Sequence, residues 1–117
     1  MTLVIREMRD NDARAFLEVH HAAVRGLAAR DYPAEIIEAW APFPITSAAV
    51  EAVTANPENE IRFVADSDGR LIGLTCLVIA KSELRACYVA PDTVRTGVGS
   101  ALLMKVEETA RNAGVKC

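Results

Sequence analysis

Apolar positions recur along this chain with two periods, and each change of period marks an element. Alternation over Thr2 to Met8 predicts a short strand. Ala13, Phe16, Leu17, Val24 and Leu27 then fall on one helical stripe, with Asp10 or Asn11 placed to cap it. Pro33 reads as the first residue of a second helix, which carries Ile36, Ile37 and Trp40 on one side and stops at Pro42. Ser47 to Ala55 predicts a third helix, ended by Asn56-Pro57. The period then shortens to two. Ile61 to Ala65 and Leu71 to Ile79 flank Ser67-Asp68-Gly69-Arg70, a hairpin signal. Lys81-Ser82 makes a tight connection into a strand from Glu83 to Val89. A helix from Val98 to Asn112 follows, with Gly114 as its stop, and Val115 to Cys117 reads as the start of one more strand. The order is β-α-α-α-β-β-β-α-β. Connections this short require antiparallel neighbours, because a parallel crossover takes a dozen or more residues. The class is therefore α+β, one domain over residues 1–117.

The junction between the last full strand and the last helix carries the most chemistry. Tyr88-Val-Ala-Pro91 ends the strand, and Arg95-Thr96-Gly97-Val98-Gly99-Ser100 opens the helix. The first turn of a helix has N–H groups without intrahelical partners and sits at the positive end of the helix dipole, which suits a phosphate. Glycine there lets a ligand approach the backbone, because no Cβ intervenes. The loop lacks the third glycine of a dinucleotide fingerprint and the lysine and hydroxyl of a Walker loop.

Composition narrows the rest. With 51% hydrophobic and 25% charged residues the chain is globular, and a formal charge of -3 gives no footprint for nucleic acid. No apolar run reaches the roughly 20 residues of a membrane span, and the start has no signal-peptide pattern. Three cysteines, Cys76, Cys87 and Cys117, have no ligand-like spacing, and two lie in apolar strands. The expectation is a cytoplasmic, reduced protein without a metal.

Glu83-Leu-Arg-Ala-Cys-Tyr-Val-Ala-Pro91 followed by Arg95-Thr-Gly97-Val-Gly99-Ser-Ala-Leu-Leu103 resembles motif A of the GNAT superfamily of acetyl-CoA-dependent N-acetyltransferases. Ala28 to Pro42 is similar to the helix pair that overhangs the acceptor site in one bacterial branch. The resemblance implies a mixed, mostly antiparallel sheet flanked by helices. It also implies that the backbone at Cys87, Tyr88 and Val89 pairs with the pantetheine arm, and that N–H groups from Arg95 through Thr96, Gly97, Val98, Gly99 and Ser100 cradle the pyrophosphate of acetyl-CoA. The family usually has Gln or Arg three residues before the first glycine; here Val94 stands there, which removes a polar side chain and leaves the backbone cradle.

Transfer to an amine needs a proton acceptor and a donor to the oxyanion. In the histone-acetylating branch a strand glutamate 14 residues before the first loop glycine is the base, and Glu83 has that spacing from Gly97. Strand parity puts Glu83 on the side of Cys87 and Val89. The plainer alternative is a solvated residue at the strand start. His20 lies in the apolar stripe of the first helix with His21 beside it, which favours packing over chemistry. Tyr32 and Trp40 are either acceptor pocket or core, since they share helical spacing with Ile36 and Ile37.

GNAT domains normally continue past Gly114 through a full fifth strand, a helix bearing the tyrosine that protonates the thiolate, and further strands. The resemblance therefore implies a domain incomplete at its C-terminus: either a fragment of a longer protein or one completed by a partner. Three functions remain open: N-acetyl transfer to a small-molecule or protein amine, a non-catalytic acyl-CoA-binding or interaction module, and an unrelated nucleotide enzyme. A homodimer is compatible with the first two.

Overall fold

The computed structural model describes residues 3–27, 31–93 and 97–114; Thr2, Val94, Arg95, Thr96 and the strand expected from Val115 lie outside them. Among the described residues four strands form one sheet in the order of the chain, every neighbouring pair antiparallel. They are β1 (Leu3–Glu7), β2 (Ile61–Ser67), β3 (Arg70–Val78) and β4 (Glu83–Val89). The helices are α1 (Ala13–Leu27), α2 (Ala34–Trp40), α3 (Ser47–Ala55) and α4 (Val98–Asn112). Among the described residues no helix is long and apolar enough to cross a membrane.

The sheet has two covered faces, as its nearly continuous apolar central strand requires. On one, Val98, Leu102, Val106 and Ala110 of α4 pack on Phe63, Ala65, Ile72 and Leu77. On the other, Phe16 and Val19 of α1 pack on Val64, Leu74 and Cys76, and Ile37 of α2 with the C-cap residue Ala41 packs against Val24. The β2–β3 turn matches expectation. Asp68 and Gly69 have φ of 50° and 92°, the two positive values that a type I′ turn needs, and Ser67 pairs with Arg70.

Two details depart from the sequence reading. Neither Asp10 nor Asn11 caps α1; they form a 3-10 turn with Asp12. The Asp12 carboxylate accepts from the Arg9 N–H at 2.8 Å and from both terminal nitrogens of Arg6, at 2.7 and 3.1 Å. A β1 cation thus draws the acid inward. Pro33 is the N-cap of α2 and not its first turn.

Gly73 sets how closely α4 approaches. A Cβ there would lie 2.8 Å from Leu102 Cδ1, 3.2 Å from Val98 Cγ1 and 3.3 Å from the Tyr88 carbonyl. Leu102 is fully buried and has no room to yield. Gly73→Ala is therefore expected to lower stability by about 1–3 kcal/mol through overpacking. Chemical denaturation reads this; an unchanged midpoint would mean that α4 is not seated as described.

Candidate active site

β4 is the edge of the sheet among the described residues, and its register decides what it offers. The Ala90 N–H donates to the Ile72 carbonyl at 2.8 Å. Backbone direction alternates along a strand, so Tyr88 also turns its N–H and C=O toward β3, where it pairs with Leu74. Cys87 and Val89 turn theirs to the open edge. Of the three residues expected to meet an extended ligand arm, these two turn their backbone groups away from β3, with no further strand beside them among the described residues.

Side-chain direction follows parity from Ala86 to Val89 and departs from it at Glu83. Cys87 and Val89 pack against the α4 cluster, whereas Ala86 and Tyr88 pack against the α1 cluster. The β3–β4 register shifts between Cys76 and Leu77, so Cys76 pairs with Ala86 and Leu77 with Leu84, leaving Arg85 as an extra residue. An inserted residue reverses parity beyond it. Glu83 pairs with Val78 and so lies on the α1 side with Ala86 and Tyr88, opposite to Cys87 and Val89. Its carboxylate accepts from Arg85 Nε at 2.7 Å, and Arg85 also pairs with Glu58.

Past β4, a 3-10 turn at Pro91–Thr93 leads toward α4. Arg95 and Thr96 fall outside the described residues. Gly97 caps α4 with φ of 86°, a left-handed conformation that glycine adopts without cost. Its carbonyl accepts the first intrahelical bond, from Ala101 N–H at 3.1 Å. The N–H groups of Val98, Gly99 and Ser100 have no partner within the helix. The first turn contains no acidic side chain to oppose an anion. Val98 is buried and anchors the turn, while Ser100 is exposed.

On the α1 side of β4 a cavity of about 330 Å³ is lined by His20, Val24, Trp40 and Tyr88. The His20 and Tyr88 rings meet edge-on at 5.1 Å, and Tyr32 meets Trp40 at 4.9 Å. Tyr32 and Trp40 are about half exposed, at 46% and 49%, so they are not core; Ile37 is the buried residue of α2. The histidines differ from the sequence reading. His21 is buried, whereas His20 is half-buried and lines the cavity. Their Nδ1 atoms lie 3.2 Å apart. Burial, and then His21, hold His20 below its ordinary pKa, so it is neutral at pH 7. The signal for this site in the sequence was the spacing of His20 and Val24, four apart on one helix face.

Neither strand cysteine is a thiolate. Burial pushes the Cys76 thiol up to about 12 and also raises Cys87. Among the described residues no group of three or more His, Cys, Asp or Glu is placed to hold a metal ion.

A family model described as the acetyltransferase (GNAT) family matches residues 22–117. The chain belongs to the GNAT acetyltransferase family. Its matched span contains Tyr32, Trp40, Glu83 and the whole β4–α4 junction; His20 lies just before it. Among solved GNAT structures, the PaiA N-acetyltransferase of Thermoplasma acidophilum, in complex with coenzyme A, superposes with a TM-score of 0.82 at 25% identity. That alignment covers 98% of this chain and 76% of the other. A GCN5-related N-acetyltransferase from Rhodopseudomonas palustris gives 0.79 at 26% identity, covering 98% and 69%. A GNAT acetyltransferase from Brucella melitensis, in complex with acetyl-CoA, shares the fold at 23% identity, with a TM-score of 0.69 over 97% and 71% of the two chains. No curated protein sequence matches the chain.

Proposed function

We propose that this chain uses acetyl-CoA as co-substrate and transfers the acetyl group to a primary amine of a small molecule or protein. The observation that carries this reading is the continuity of an open β4 edge at Cys87 and Val89 with the unpaired N-terminal turn of α4. An extended thioester arm can pair with the first as another strand would. Its pyrophosphate then meets the N–H groups of Val98, Gly99 and Ser100.

The chemistry follows from what the site contains. A thioester carbonyl at the β4 edge accepts from the backbone N–H of Cys87 or Val89, which stabilises the charge that develops on attack. The two strand cysteines, Cys76 and Cys87, are held as thiols, so neither offers a thiolate to carry the acetyl group, and in this reading the group passes directly to the amine. The amine nitrogen bonds to the carbonyl carbon, its proton leaves to Glu83 directly or through water, and coenzyme A departs as the thiolate. Glu83 faces the α1 side, where Tyr32 and Trp40 flank the acceptor. Thiol release from acetyl-CoA is expected in the presence of a primary amine and not in its absence. Failure of every amine tested, with coenzyme A still bound in calorimetry, would leave a non-catalytic acyl-CoA-binding module instead.

A further inference from the structure

The cavity beside β4 has a composition that selects among amines. Among the described residues its lining is three rings (His20, Trp40 and Tyr88) and Val24, and none of these carries a carboxylate. Its 330 Å³ exceeds the roughly 150 Å³ of an apolar cavity that takes up benzene, leaving room for a ring and a short linker. Tyr88, in its wall, adjoins Cys87, whose backbone faces the open edge. A group seated against Tyr88 therefore holds an attached amine about one residue from the strand segment assigned to the thioester.

We propose that this cavity receives an aromatic or branched aliphatic group of the acceptor, so that the preferred substrate is a monoamine of that kind and not a polycation. This rests on the acetyl-transfer reading above. The charges nearby do not favour a second ammonium. Arg25 donates to Glu38 at 2.7 Å and stacks over Phe43 at 4.5 Å, so that carboxylate is already engaged. At helical spacing Glu35 and Glu38 stand on the opposite side of α2 from Trp40. Burial keeps His20 neutral, and the same surroundings penalise any other positive charge placed there. That penalty also favours the free base of the reacting amine, the form that attacks.

Trp40 is the only tryptophan of the chain, so its emission reports occupancy independently of turnover. With coenzyme A present, phenethylamine and isopentylamine are expected to change Trp40 fluorescence saturably, and putrescine and spermidine are not. With acetyl-CoA, kcat/KM for the two monoamines should exceed that for putrescine by roughly 10–100-fold, the range for filling an apolar pocket. Trp40→Ala should raise KM for the monoamines about tenfold and that for putrescine by much less, with coenzyme A affinity unchanged; its ring is half-exposed, so truncation removes little core, and Trp40→Phe should restore most of the preference. Saturable fluorescence without acetylation would remove the transfer reading and keep the pocket. Acetylation that prefers spermidine or putrescine, or a Trp40→Ala loss equal for all amines, would overturn the pocket and keep the transfer.

Discussion

Replacing Glu83 by glutamine is expected to lower kcat by about 10²–10⁴, the range for loss of a general base, while coenzyme A affinity stays close to wild type. An amine of ordinary basicity has a pKa near ~10.4 and is almost wholly protonated at pH 7, so the acceptor of its proton limits the rate. Glutamine preserves the shape and can still accept from Arg85 Nε, which is 2.7 Å from the carboxylate, so the strand start is left intact. The deficit should shrink as pH rises toward the amine's own pKa, because more of the amine then arrives already deprotonated. That sign separates lost proton transfer from lost packing, which would depress the rate equally at every pH. Wild-type turnover near neutral pH in Glu83→Gln would assign the proton to another group.

Gly99→Val is expected to weaken coenzyme A binding by roughly 10²–10⁴-fold while leaving the fold intact. A Cβ at Gly99 meets only Val89 Cγ2, at 3.7 Å, an ordinary contact. Valine is also no worse than glycine for helix formation, so stability gives no reason for a loss. In the α4 first turn, however, the added side chain occupies the space through which a phosphate approaches the N–H groups. Losing two charge-assisted hydrogen bonds at about 1.5–3 kcal/mol each corresponds to that fold-change. Gly97 is the less informative position, because its φ of 86° strains any side chain and mixes folding with binding. Calorimetry decides; unchanged affinity for Gly99→Val would place the pyrophosphate elsewhere.

Periodicity and turn chemistry made most of the fold legible. All four described strands and all four helices lie where alternation, helical stripes, the Asp68-Gly69 turn and the Gly97-Val98-Gly99 opening put them. These signals are local: a side chain's period and a glycine's φ depend on near neighbours. The family, too, was legible, because motif A is one continuous strand, loop and helix. What the tertiary structure alone decided depends on register and on contacts across the chain. Arg85 is one extra residue in a ladder with β3, so the face of Glu83 follows from pairing 5 residues away in sequence, at Val78, and not from counting along β4. Asp12 turns inward because Arg6 lies within reach on β1. His20 and His21 are adjacent on one helix, and only the packing of α1 on Tyr88 and near Phe43 buries the second and leaves the first lining a cavity. The sequence alone thus determined the elements and the family. Which side chains line the cavity beside β4 was set by three elements distant in sequence, α1, α2 and β4, whose meeting no local pattern encodes.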